Sequence, residues 1–305
     1  MQISFVRSLM IWTLIFSLLL SGCSSSDSTS AAPPDYSKPQ VRIPDAPQTD
    51  TLGSSPLLLD TSNISQGYLT AISDSKDSKM NVQLITEDSV TYSYSIEPGE
   101  SAVIPFSSGS GTYRIYCYQQ IDGTQYAALF GDTLEIQLEN EFLPFLYPNQ
   151  YVDFAPDSKV SKLALSIAPE DATDITVLQA IYDHVTQTLT YDPEFAQNVS
   201  AGYLPDIDEV LASQKGICFD YAALTAAMLR IRGIPCKLQI GYAGTIKHAW
   251  ISVYIRSKGW IDKAIEFSGD SWSRMDPTFD SNSEDKESLQ QYIRDDENYI
   301  VQFTR

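Results

Sequence analysis

The sequence predicts an α+β protein, with a small β-sandwich ahead of a unit of helices packed on an antiparallel sheet. Three observations carry that expectation. Between residues 57 and 141 apolar residues recur in period two, broken at short intervals by turn signals. From residue 174 the period lengthens to that of a helix, and a second, almost wholly apolar helical run follows within 215–236. After residue 236 the strand-like pattern returns. Helices in one block and strands in another point to α+β rather than to alternating β-α-β units.

The 305 residues suffice for one large or two ordinary domains. Acidic residues number 39 against 20 basic ones, a net charge of −19. Phosphate recognition relies on Lys and Arg, so this balance, with no basic patch, argues against a nucleic-acid partner. The acidity reads as solvation of an exported, soluble protein.

Residues 1–22 read as a targeting segment. Arg7 supplies a positive start, and "LMIWTLIFSLLL" (9–20) is an apolar run too short to span a bilayer but suited to a signal-peptide core. It ends in "LSGC", small residues before Cys23, which resembles a bacterial lipoprotein signal. That resemblance implies lipidation of Cys23 and a lipid anchor in a bacterial membrane, at the cell surface or in the periplasm. Residues 23–56, rich in Ser and Pro with almost no apolar periodicity, are expected to form a disordered tether.

The β-sandwich is expected over 57–141. "MNVQLIT" (80–86) and "VTYSYSI" (90–96) alternate, "EPGES" (97–101) interrupts, and "GTYRIYCYQQI" (111–121) and "DTLEIQLEN" (132–140) resume, with "DGTQ" (122–125) as a hairpin turn. The aromatic, proline-bearing stretch 142–159 is a connector expected to pack against the second domain. Within 160–305, Ile175, Leu178, Ile181, Tyr182, Val185 and Leu189 form one apolar stripe on a helix over 174–192. The next helix is apolar nearly all round and should be buried, with Gly233 and Pro235 ending it. Strands are expected at 237–244, 248–255, 259–265 and 271–280, a surface helix at 283–297 and a closing strand at 299–305.

Cysteine chemistry is the site this chain can build. Of the cysteines beyond Cys23, Cys218 alone opens a helix, where unsatisfied N–H groups and the dipole favour a thiolate. Cys117 and Cys236 read as small core hydrophobes. Asp220, in the same first turn, opposes ionisation of a neighbouring thiol, so an imidazolium is needed to hold the thiolate. There are two histidines. His184 falls on a flank of its helix, expected at the surface, whereas His248 opens the strand "HAWISVYI" and can face the helix start. An acid should orient the imidazole; Asp276 in "MDPTFD" suits that role, with Asp262 and Glu266 as competitors.

Together, "GICFDYAALTAAMLRIRGIPC", "HAWISVYI", "GWI" and "SWSRMDPTFD" resemble the transglutaminase-like superfamily, a branch of the papain-like cysteine fold. The pattern of that family is Gly-x-Cys opening a helix, Arg-x-x-Gly-Ile-Pro at its exit, His-Ala-Trp on a strand and Asp-Pro-Thr on the next, and all four occur here in order over 160–305. The resemblance implies Cys218 as nucleophile, His248 as general base and Asp276 as its orienting acid, with an oxyanion hole made by the nucleophile's backbone N–H and an upstream side chain, Gln214 or Tyr191. It implies a cysteine enzyme acting on peptide or protein carboxamides at the cell envelope, as peptidase, amidase or transglutaminase. The competing reading is a catalytically silent scaffold or binding protein that uses its β domain. No acidic metal loop of the calcium-dependent members is recognisable, and "DSNSED" (280–285) reads as a solvated turn, so neither metal nor cofactor is expected. Trp250, Trp260 and Trp272 are expected to pack beside the site, with a cleft wall for extended substrate as the other reading.

Overall fold

The computed structural model describes residues 41–261 and 299–305, and the backbone of 266–268 and 271–273. Two four-stranded antiparallel sheets come first. β1 (Thr51–Ser54), β2 (Leu57–Asp60), β3 (Tyr68–Ser73) and β6 (Ser101–Pro105) make one, in that order. The other runs β5 (Thr91–Ile96), β4 (Met80–Ile85), β7 (Gly111–Asp122), β8 (Gln125–Ile136). The period-two pattern becomes burial. Met80, Val82 and Leu84 face inward and pair across β5 with Tyr92, Tyr94 and Ile96, while the residues between them face out. These side chains meet Leu59, Leu69 and Ile104 of the first sheet in one apolar core, which makes the pair a sandwich. Cys117 lies in that core, opposite Val82.

The sandwich begins earlier than the sequence pattern placed it. β1 and the stretch before it fall inside 23–56, where a disordered tether was expected. They are held by polar groups that periodicity does not register: the Gln48 N–H donates to Asp60 Oδ2 at 2.7 Å, the Thr49 N–H to Ser62 Oγ at 2.9 Å, and Thr51 pairs with Asp60. Residues 1–40, including the apolar run and Cys23, lie outside the described residues. Among the described residues no helix is long and apolar enough to cross a membrane.

The connector packs as expected. Phe142 lies 4.4 Å from Tyr254 between ring centroids, and Phe145 lies 5.4 Å from Trp260. Beyond it come α1 (Lys159–Ser166), α2 (Asp174–Thr188), β9 (Thr190–Tyr191), α3 (Pro193–Asn198), α4 (Ile207–Ser213), β10 (Lys215–Gly216) and α5 (Cys218–Ile231). The apolar stripe of α2 is buried at Leu178, Ile181, Tyr182 and Val185. The helix starts at an N-cap, Thr173, whose hydroxyl accepts from the Thr176 N–H, and ends at Thr188, short of the expected 192. The next residues leave the helix because their N–H groups are taken by another strand. Thr190 donates to the Gln214 carbonyl and Asp192 to the Gly216 carbonyl, making β9 and β10 a parallel pair.

α5 is buried nearly all round, as its composition demands, and packs on β11 (Cys236–Ala243) and β12 (Ile246–Ile255). It ends in a Schellman motif: Gly233, at φ 75°, donates to Arg230, and Ile234 donates to Leu229. The sheet beneath runs β13 (Gly259–Ile261), β12, β11, β16 (Tyr299–Thr304), with each neighbouring pair antiparallel. β14 (Glu266–Ser268) and β15 (Ser271–Ser273) form a separate antiparallel pair. The architecture is therefore α+β: a β-sandwich followed by helices on an antiparallel sheet.

Two buried arginines lock this part together. Arg230 is 0% exposed. Its guanidinium donates to three backbone carbonyls: Cys236 at 3.0 Å, Tyr147 at 2.8 Å and Arg305 at 2.9 Å. Burial lowers its pKa to about 10. Arg232 donates to the Ala168 and Pro169 carbonyls at 2.7 and 2.6 Å, just past the C-terminal end of α1, where a cation also suits the helix dipole.

Candidate active site

Cys218 is the first residue of α5. The helix starts there because Asp220, its third residue, turns its carboxylate back: Oδ2 accepts the Ile217 N–H at 2.8 Å. An acid at this position reaching the N-cap amide is half of a capping box. Ile217, at the N-cap, has no side-chain acceptor with which to return the bond. Gly216 makes the turn possible, since a Cβ there would sit 2.6 Å from the Asp220 Cβ and 2.9 Å from its Oδ2. The Gly-x-Cys spacing thus follows from the room Asp220 needs. Cys218 is half-buried, while Cys117 and Cys236 are fully buried and free. Burial pushes both of their thiols up to about 12.

Asp220 is 1% exposed, and burial raises its pKa, while bonds from Tyr203 and Ile217 oppose that rise. The Tyr203 hydroxyl donates to Oδ1 at 2.6 Å. The carboxylate that the sequence set against the Cys218 thiol is thus occupied at both oxygens. Burial also raises the Tyr203 hydroxyl, which therefore stays a donor.

His248 lies on β12, 5% exposed, opposite Gly241 of β11. Its ring stacks on buried Trp250, with centroids 6.2 Å apart and planes 26° apart. Cys218 packs at the edge of the core that includes Ala249, the next residue on β12. Ala249, Ile251 and Val253 face that core, whereas His248 and Trp250 alternate to the other face of β12, where Trp250 packs with Ala243 and Tyr299. The strand therefore packs on α5, but the imidazole does not share the face that α5 covers, although the sequence suggests that it can. Asp276 and Asp262 lie outside the described residues, and Glu266 is described in backbone only.

Both upstream candidates for an oxyanion donor border the turn before Cys218. Tyr191 is half-buried and pairs with Gly216 across the β9–β10 bridge. Gln214 caps the C-terminal end of α4 at φ 56°, exposed, with its carbonyl taken by the Thr190 N–H. His184 differs from its surface expectation. It is half-buried, its Nε2 is out of water with no hydrogen-bond partner among the described residues, and burial lowers its pKa. The flank of α2 that carries it is covered, which a helical wheel of α2 alone does not reveal. Trp250 is buried, and Trp260 is enclosed by Phe142, Phe145, Tyr254 and the Lys237 ammonium, 4.0 Å above its ring. Both serve packing. Trp272 is described in backbone only. Among the described residues no cluster of His, Cys, Asp and Glu is arranged to hold a metal.

Sequence reasoning missed Tyr203 and the structural roles of Arg230 and Arg232. An acid at the third helical position signals a back-bond to the N-cap, but nothing in the pattern names the tyrosine seventeen residues earlier that meets its other oxygen.

Residues 161–277 match the family model of the transglutaminase-like superfamily. Over 113 residues the chain is 27% identical to the kyphoscoliosis peptidases of Mus musculus and Homo sapiens, a stretch covering 33% of this chain and 17% of each of those proteins. Among solved structures, the periplasmic domain of TgpA from Pseudomonas aeruginosa bound to ethylmercury aligns at 15% identity and a TM-score of 0.32, over 70% of this chain and 73% of that one. Red sea bream transglutaminase aligns at 14% identity and 0.31, over 71% and 48%.

Proposed function

We propose that the protein is a cysteine enzyme that opens peptide or protein carboxamides at a bacterial cell envelope through a thioester on Cys218. The observation that carries this reading is the contrast among the described cysteines. Cys117 and Cys236 are sealed in cores, whereas Cys218 reaches solvent at the first turn of a buried helix that packs on β12, the strand that carries His248. The match to the transglutaminase-like superfamily over 161–277 supports it, and the name of the peptidase relatives favours hydrolysis.

In the proposed reaction the Cys218 thiolate adds to the carboxamide carbon. The oxyanion formed is met by the Cys218 N–H, which at the first helical position has no carbonyl within the helix to bind. Tyr191 or Gln214 provides the second donor. The C–N bond breaks, the amine leaves with a proton from the His248 imidazolium, and a thioester remains. Neutral His248 then takes a proton from water as it attacks, or from an amine in transamidation, and the thiolate leaves. Asp276 orients His248. Export and lipidation at Cys23 would bring this chemistry to envelope peptides.

The test is iodoacetamide labelling of each cysteine against pH, in the wild type and in His248→Ala. Fast labelling of Cys218 below neutral pH, lost in His248→Ala, is the expected result. A Cys218 that labels as an ordinary thiol in both proteins rejects the enzyme and leaves the scaffold reading.

A further inference from the structure

We infer that Tyr203 is a positioning residue for the nucleophile, acting through Asp220 on the backbone turn that presents Cys218. This rests on the reading of Cys218 as the nucleophile.

The turn is held by a closed circuit of contacts that starts and ends on it. The Gly216 carbonyl accepts the Asp192 N–H at 2.9 Å. Asp192 caps α3, its carboxylate accepting the Phe195 N–H at 2.8 Å. The Phe195 ring meets Tyr203 edge to face, centroids 5.0 Å apart and planes at 87°. Tyr203 donates its hydroxyl to Asp220 at 2.6 Å, and Asp220 returns to the turn by accepting the Ile217 N–H at 2.8 Å. The Tyr203 ring also lies edge-on to Phe219, the residue after Cys218, at 6.2 Å and 82°. The irregular stretch carrying Tyr203 is thereby tied to both sides of the nucleophile without touching it through any bond to sulfur.

The chemistry explains why a hydroxyl belongs there. A buried carboxylate with one oxygen on the Ile217 N–H could swing to another rotamer unless its second oxygen is fixed as well. A charge-assisted bond from a phenol does this at short range. With Asp220 fixed, the peptide planes of Ile217 and Cys218 are fixed, and so is the direction of the Cys218 N–H. An oxyanion donor depends on such aim, because it works on a charge that exists only in the tetrahedral state. Thiolate formation depends on it far less. Tyr203 therefore governs carbonyl addition more than simple sulfur reactivity, and that split separates positioning from a general role in folding.

The test compares two probes of Cys218 in the full chain. Iodoacetamide alkylates the thiolate with no oxyanion, whereas N-acetylglycinal adds reversibly and places an oxyanion on the turn. In Tyr203→Phe, the dissociation constant of the aldehyde adduct is expected to rise about tenfold, while the iodoacetamide rate at high pH and the melting temperature stay near wild type. Asp220→Asn, which can accept from Ile217 or Tyr203 but not from both, should raise the aldehyde constant at least as much. Equal aldehyde affinity in Tyr203→Phe and wild type overturns the inference, and so does parallel loss of both reactions together with stability. Alkylation of wild-type Cys218 without formation of an aldehyde adduct overturns it while sparing the thiolate–imidazole pair. A wild-type Cys218 that alkylates only as an ordinary thiol removes the enzyme reading and this inference together.

Discussion

Replacing Gly216 by alanine should cost about 1–3 kcal/mol, the usual range when a methyl is forced into a filled site. The new Cβ would lie 2.6 Å from that of Asp220, so the carboxylate must move off the Ile217 N–H. Urea denaturation measures the loss, and iodoacetamide reports the change at Cys218. A second prediction at this scale concerns pH. The Cys117 and Cys236 thiols are held up to about 12, while an unfolded cysteine ionises near 8.5. Between those values the unfolded chain binds fewer protons, so the stability these thiols contribute is complete below about pH 8.5 and falls as pH rises toward 12. Cys236→Ala should flatten this decline in denaturation midpoints measured from pH 8 to 11. Cys218 was legible in the sequence because helix starts advertise themselves through a glycine, an acid at the third position and an apolar run. Tyr203 was not, because it sits in an irregular stretch and its bond depends on how two distant segments meet.

Among the elements, α5 and its sheet depend on Arg230. Arg230→Met removes the donors of three backbone carbonyls, and each buried acceptor left unsatisfied is expected to cost about 1–3 kcal/mol. A melting-temperature drop far larger than for an exposed arginine such as Arg114 is the expected result. Gly241 is equally constrained, since a Cβ there would lie 1.9 Å from the Ile300 carbonyl oxygen. Gly241→Ala should therefore loosen β16 from β11, seen as faster amide exchange at Leu238 and Arg305, which bond each other's carbonyls. Long periodic elements were readable: the alternation of β4 and β5, the stripe of α2, the apolar wrap of α5. The short helices α1, α3 and α4 were not. α1 owes its start partly to Asp208, whose carboxylate accepts the Lys159 and Val160 N–H groups from far along the chain, and local propensity cannot encode such a cap.

At the scale of the whole molecule, Arg305 joins the sandwich to the α5 sheet. Its backbone pairs with Leu238, while its guanidinium donates to the Tyr94 and Tyr151 hydroxyls at 2.9 and 3.1 Å and lies over the Tyr92, Tyr94 and Tyr151 rings. Arg305→Ala is expected to destabilise the protein by roughly 1–3 kcal/mol through lost cation–π and hydrogen-bond contacts. Tryptic cleavage near the connector should become faster. The bond to Tyr94 spans 211 residues, which is why the α+β class was legible and this union was not. The reach of these contacts also sets a timetable for the ribosome. The Arg230 guanidinium needs the Arg305 carbonyl, made 75 residues later. At about 5–20 residues per second, the nascent helix waits roughly 4–15 s for its third acceptor. Until then the sheet that α5 packs on lacks its β16 edge, so a chain still being synthesised carries Cys218 before the scaffold that steadies its helix is complete.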